Sequence, residues 1–359
     1  YTRSAGRRGG TIGRSSLAVI SVVVVNWNRR DLLRKCFLSL CRQTVAGFEV
    51  ILVDNGSGDG SAEMAEQEFG NGVNFQLQML RNGENRGFCE ANNQGIALAK
   101  GELIALLNND AEAEPGWLEG LASGFADRQV GMAASKIVVW EDPGRIDKVG
   151  HLIYPDGQNK GRGAGERDEG QYDRREEALW PDGCAAMYRK AMLDEIGGFD
   201  EDFFAYGDDA ELGLRARIAG WDCVYIPEAV VRHHRGSTLG LGSARRLMLI
   251  ERNRILLALK LFPPGLLMLN PWYTMVRYAA GAWAAFQGRG ETKHYAGANG
   301  KLRMAQGLIW GIASALRLAP RILKKRREIG RFRKRSHREI RELLRRYRIP
   351  LAELTGQSI

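Results

Sequence analysis

Short runs of apolar, largely β-branched residues alternate with helical periodicity over the first 110 residues, and this alternation constrains the fold more than any other feature. Val19-Ile-Ser-Val-Val-Val-Val25 is a run suited to a strand covered on both faces. A helical pattern follows over residues 31–43, with Leu32, Leu33, Cys36, Phe37 and Leu40 at its apolar positions. Residues 49–53 read as a second strand, 62–69 as a short helix, 75–80 as a third strand, 85–99 as a helix and 103–107 as a fourth strand. Strands separated by helices predict an α/β fold with a mostly parallel sheet and helices on both faces.

In an open α/β sheet, ligands bind beyond the carboxyl ends of the strands. The fourth strand ends in Asn108-Asn109-Asp110, and Pro115 is expected to open the next helix as its first residue. A carboxylate at that position suits a divalent cation shared with a diphosphate, because magnesium takes one or two protein carboxylates and completes its shell with phosphate oxygens and water. It equally suits an N-cap. Asp54 follows the second strand and heads the loop Asn-Gly-Ser-Gly-Asp-Gly-Ser61. Such a loop lets backbone approach a ligand and leaves a carboxylate to accept from an imide or hydroxyl, although the same composition makes ligand-free turns. No GxGxxG follows the first strand and no GxxxxGK[ST] occurs, which counts against dinucleotide and P-loop sites.

The second half continues the alternation of strands and helices less regularly. A helix is expected over residues 116–127, a strand over 132–140, and a helix over 189–195. Residues 141–178, rich in Gly and charge, read as a long loop or hairpin, such as an acceptor-side lid. Asp208 and Asp209 open a helix running to Ala219, where carboxylates serve either as caps or, one of them, as a general base. A strand at 221–226 is expected to break at Pro227, and His233 and His234 follow.

Taken together, Val23-Val-Val-Asn-Trp-Asn-Arg29, Val53-Asp-Asn-Gly-Ser57, Glu84-Asn-Arg-Gly-Phe88 with Ala91-Asn-Asn-Gln-Gly95, and Leu107-Asn-Asn-Asp110 resemble family 2 glycosyltransferases, most closely bacterial rhamnosyltransferases of polysaccharide assembly. The resemblance covers residues 19–240 and implies the GT-A fold, a Rossmann-like nucleotide-sugar domain. It implies that Asn26, Asn28, Arg29 and Asp54 line the nucleobase and ribose pocket and that Asn85, Arg86 and Gly87 lie near ribose or diphosphate. Asn108-Asn109-Asp110 stands where the family places its DxD motif, with Asn at the first acidic position. Asp110 and a histidine, His233 in preference to His234, would then hold Mg2+ or Mn2+, and Asp209 would be the base, with Asp208 orienting it.

The net charge of +10 is unevenly placed: residues 321–348 hold fourteen Lys/Arg and three Glu, leaving the remainder close to neutral. Five scattered cysteines without a CxxC pair argue against a disulfide framework or zinc site and for a reducing compartment. Residues 1–16, rich in Gly, Arg and Ser, read as a disordered leader. Residues 17–240 are expected to form the GT-A nucleotide-sugar and acceptor domain. Residues 241–320 read as amphipathic helices that either lie in a membrane interface or pack on the core or form a homodimer, and 321–359 as a basic tail suited to an anionic membrane surface. No nucleic-acid module accompanies that tail.

The expected function is inverting transfer of rhamnose or a similar hexose from a dTDP- or UDP-sugar to a hydroxyl of a glycan or polyprenyl-linked acceptor. The expected location is peripheral, on the cytoplasmic face of a bacterial inner membrane. The alternative is a non-catalytic nucleotide-sugar-binding or scaffold protein of an assembly complex.

Overall fold

The computed structural model describes residues 19–235, 243–286 and 298–356; the expected leader lies outside them. Strands β1 (Ile20–Asn26), β2 (Glu49–Asp54), β3 (Gln76–Arg81) and β4 (Leu103–Leu107) pair in parallel in the order β4-β1-β2-β3. Helices α1 (Arg30–Cys41), α2 (Ser61–Phe69) and α3 (Gly87–Leu98) make the crossovers. Val22, Val23 and Val24 are fully buried, as a strand covered on both faces requires.

Beyond β4 the chain departs from the sequence expectation. The three-residue strand β5 (Ala111–Ala113) precedes α4 (Trp117–Ser123), so Pro115 does not open the helix. Residues 111–113 are claimed by pairing with a strand from much later in the chain, which delays the helix start. Strand β6 (Val130–Val139) follows, and the segment expected as a loop or hairpin contains β7 (Ile146–Lys148) against β6, the hairpin of β8 (His151–Ile153) and β9 (Asn159–Gly161), and β10 (Glu176–Glu177). Strand β11 (Ala185–Arg189) inserts antiparallel between β4 and β6 and joins the parallel block to the rest of the sheet.

Helices α5 (Lys190–Ile196) and α6 (Asp208–Ile218) lead to β12 (Asp222–His233), parallel to β6. Pro227 does not end this strand. The register against β6 shifts between Ile226 and Val230, and the resulting bulge accommodates the residue that cannot donate to the ladder.

The C-terminal part is helical: α7 (Ala244–Leu261), α8 (Pro264–Phe286), α9 (Ala298–Ile329), α10 (His337–Arg346) and α11 (Leu351–Gly356), with α9 running unbroken through residue 320. One face of the sheet is covered by Phe37, Leu40, Met64, Trp117 and Leu121. On the other, Met192, Leu193, Leu212 and Leu214 share a core with Leu257, Leu261, Ile322 and Ile340 from the C-terminal helices. Those helices therefore pack on the sheet domain with their inner faces. Buried ion pairs reinforce the junction: Lys260 meets Asp200 and, at 2.6 Å, Glu211, while Lys325 meets Asp200 and Asp202. All five cysteines are free thiols.

Candidate active site

The carboxyl ends of β1, β2 and β4 form the floor of a cavity of about 1340 Å³, whose far wall is built by α6, α7 and α8. Arg29, Asn85, Gly87, Asn108, Asn109, Asp110, Asp208, Asp209 and His233, all singled out from sequence, line it. Asn26, Asn28, Asp54 and Arg86 do not reach its surface. Asp54 is buried beneath the floor, where Oδ1 accepts from the Ser57 hydroxyl (2.6 Å) and the Asn26 amide (3.2 Å), and Oδ2 accepts from the Ser57 N–H (2.9 Å). The Asn109 amide donates to Asn26 Oδ1 at 2.7 Å, so a polar chain links the β4 turn to the β2 loop. Asn28, in a left-handed conformation (φ 51°), accepts from the Gly58 N–H at 2.8 Å and shapes the same loop. Arg86 pairs with Glu90 on the surface.

Asp110 and His233 meet because β5 pairs antiparallel with the end of β12, with His233 opposite Ala111. Asp110 Oδ1 lies 3.4 Å from His233 Nε2, and Asp147 Oδ2 lies 2.8 Å from His233 Nδ1. Arg235 holds the other Asp147 oxygen at 2.8 Å. Burial pushes the Asp110 carboxyl up, but His233 and Arg29 hold it below its ordinary value. His234 points elsewhere: it pairs with Glu112 at 3.0 Å and stacks on Trp140. A carboxylate oxygen beside an imidazole nitrogen, with the second ring nitrogen fixed by another carboxylate, is a donor set that fits Mg2+ or Mn2+.

The second acidic group sits at the start of α6. Neither aspartate caps the helix: Gly207 occupies the N-cap in a left-handed conformation (φ 72°) without a side-chain cap, and Asp209 Oδ1 accepts from the adjacent Ala210 N–H at 2.7 Å. The capping expectation fails because glycine already turns the chain into the helix there. Asp208 is buried, and burial together with Asp209 raises its carboxyl well above the ordinary range. Asp209 Oδ2 lies 3.2 Å from His151 Nε2, and the same nitrogen lies 2.9 Å from Asp182 Oδ2. Lys148 Nζ donates to Asp182 Oδ2 at 2.7 Å, and the Cys184 N–H donates to Asp182 Oδ1 at 2.9 Å. Burial alone would lower the His151 pKa, yet Asp209 and Asp182 raise it to about 9. His151, Asp182 and Asp209 present ligand atoms within 4.8 Å of one another. The Lys148 ammonium already neutralises this cluster, which suits proton handling better than a second cation.

The residues missed from sequence are Asp147, Lys148 and His151, on β7 and β8, and Asp182. The one available signal for Asp182 was the Pro181-Asp182-Gly183 turn preceding an apolar run.

Residues 21–197 match the model of glycosyl transferase family 2. The chain carries a family 2 glycosyltransferase domain. Over 264 residues it is 28% identical to the N-acetylglucosaminyl-diphospho-decaprenol L-rhamnosyltransferase of Mycobacterium tuberculosis, covering 64% of this chain and 80% of that protein. The fold is GT-A. It superposes on GalNAc-T7, solved with UDP, GalNAc and Mn2+ (TM-score 0.57, 18% identity, 70% of this chain and 49% of that one). It also superposes on a Pyrobaculum calidifontis mannosyltransferase in complex with GDP-Man and Mn2+ (TM-score 0.52, 19% identity, 89% and 86%). The family match stops at residue 197, so Asp208, Asp209 and His233 lie downstream of it.

Proposed function

We propose that the protein is an inverting glycosyltransferase that moves rhamnose or a similar hexose from a dTDP- or UDP-sugar to a hydroxyl of a lipid-linked or polysaccharide acceptor. One observation carries this reading: Asp110 with His233, and Asp209 with His151, line a single cavity, and Asp147, Lys148 and Asp182 join the two groups. The named substrate of the mycobacterial relative supports a diphospho-polyprenol acceptor, and the nucleotide and Mn2+ of the two solved relatives support the donor class.

The donor lies over the ends of β1, β2 and β4, with Asn85 and Arg29 beside its diphosphate. Asp110 and His233 hold a divalent ion, and Asp147 keeps the imidazole in its liganding orientation. Such an ion, when bound, stabilises negative charge on the leaving diphosphate. Asp209 takes the proton of the acceptor hydroxyl as that oxygen attacks the anomeric carbon, a contribution of about 10²–10⁴-fold for a positioned base. Asp208, buried beside it, orients that base or a substrate hydroxyl. A single base on the acceptor side favours one displacement with inversion.

Exchange of Asp209 for Asn is expected to abolish transfer while nucleotide binding, measured by calorimetry with Mn2+, persists. Equal loss of both would remove Asp209 from the role of base, and unchanged transfer would refute the mechanism. A panel of nucleotide-sugars assayed with and without Mg2+ or Mn2+ identifies the donor.

Peripheral attachment to the cytoplasmic face of a bacterial inner membrane completes the proposal. Among the described residues no helix is long and apolar enough to cross a membrane. Helices α8 and α9 nevertheless expose Met268, Trp272, Trp283, Leu302, Trp310 and Leu316, each at least half open to solvent. Tryptophans and leucines on helices that also carry Lys and Arg suit the interface of an anionic bilayer.

A further inference from the structure

The cavity does not end at the acid pair. On α7, α8 and α9 its wall includes Leu247, Ile250, Leu257, Met304 and Leu308, beside the mutually paired Glu251, Arg254 and Arg277. Arg245 and Arg246, next to Leu247 on α7 and stacked on Phe204 and Tyr206 ahead of the acid pair, line the same cavity. Four other cations of the wall are committed to carboxylates: Lys148 to Asp182, Arg235 to Asp147, Arg254 to Glu251, and Arg277 to Asp156 and Glu251. Arg245 and Arg246 make no ion pair among the described residues. Their guanidinium groups rest on the rings of Phe204 and Tyr206, and Arg246 Nε is buried without a hydrogen-bond partner. Two guanidinium groups without an ion pair among the described residues, beside apolar side chains of the same cavity wall, complement a ligand with an anionic head and a long hydrocarbon tail.

We propose that Arg245 and Arg246 bind the diphosphate of a prenyl-diphosphate-linked acceptor, and that the passage between α7, α8 and α9 takes the first isoprene units of its chain. This rests on the sugar-transfer reading and adds to it the acceptor's own subsite. Helix α9 turns Met304 and Leu308 to the cavity and Leu302 and Leu316 to the surface, so the passage lies just beneath the face assigned to the bilayer. A lipid-borne head could thereby reach Asp209 while its tail remains in apolar surroundings.

The test uses the full chain in EDTA, so that no divalent ion can recruit diphosphate to Asp110 and His233. Geranylgeranyl diphosphate, geranylgeraniol and inorganic diphosphate are titrated separately by calorimetry below their micellar concentrations. Geranylgeranyl diphosphate is expected to bind at least about tenfold more tightly than either fragment. Exchange of both arginines for Gln should weaken it by at least about tenfold, the effect of losing a charge-assisted hydrogen bond. Met304→Trp should weaken geranylgeranyl diphosphate and leave inorganic diphosphate unchanged. Should geranylgeraniol bind as well as its diphosphate, or the arginine variant bind like the parent, the subsite is refuted. Binding that ignores Met304→Trp refutes the passage. None of these outcomes bears on Asp209, whose exchange tests the transfer reading separately. A melting curve for each variant shows that a loss of binding is not a loss of fold.

Discussion

At the scale of single residues, the site is organised by imidazoles that each bridge two carboxylates. His233 lies between Asp110 and Asp147, and His151 lies between Asp182 and Asp209. Because the folded pKa of His151, about 9, exceeds its ordinary 6.5, its ion pairs contribute fully below about pH 6.5 and are lost as pH rises through about 9. Folding stability from denaturant melts should therefore fall over that window, and His151→Gln should remove that part of the fall. The same exchange should lower kcat more than it raises the donor KM, because it leaves the donor end untouched. His233→Ala should abolish metal-dependent nucleotide binding in calorimetry, whereas His234→Ala, which removes only a stack on Trp140 and a pair with Glu112, should not. Asp110 could be singled out because it closely follows a clear strand, and His233 only through the family resemblance, since its strand was expected to end before Pro227. Asp147 and His151 were not, because their segment has no periodicity and acquires strands only by pairing with β6 and within its own hairpin.

At the scale of elements, the segment of residues 203–207 is the tie between the two ends of the cavity. Phe204 and Tyr206 adopt positive φ values of 63° and 69°, which cost of order 1–3 kcal/mol each and persist only where the surroundings enforce them. The enforcing group is Asn253 on α7, whose amide donates to the carbonyls of Phe203 (2.9 Å), Ala205 (2.8 Å) and Tyr206 (2.7 Å). On the donor side, the Phe204 carbonyl accepts from the Phe88 N–H at 2.9 Å. Asn253→Ala leaves buried carbonyls unsatisfied and should cost about 1–3 kcal/mol in urea unfolding, with kcat falling because Asp209 loses its mooring. Gly87 packs so closely on Phe204 that an added Cβ would come within 2.5 Å of the ring, and its φ is 85°. Gly87→Ala should thus destabilise the protein and weaken nucleotide binding together. The sequence displayed the helix that carries Asn253, but not what that helix grips, since the grip joins residues some fifty positions apart.

At the scale of the whole molecule, the C-terminal helices have two different faces. Their inner side completes the core and the cavity; their outer side is apolar and open, with Trp272 60% and Trp310 51% exposed. Exchange of both tryptophans for Gln should reduce co-sedimentation with vesicles of anionic phospholipid at least several-fold and leave the melting temperature within a degree or two, as surface changes do. The amphipathic pattern left a membrane surface and a packed subdomain as alternatives; the inner faces of these helices pack on the core, and the outer faces carry the proposed membrane contact.

The grip of Asn253 carries a practical corollary. A shortened protein ending near residue 240 would keep every motif that advertises sugar transfer, yet the backbone ahead of Asp208 would lose the Asn253 and Arg252 bonds to its carbonyls and keep only those from Phe88 and Cys89. Such a fragment should turn over nothing, so the smallest working enzyme extends past the limits of the recognisable domain to the distant helix that carries this amide.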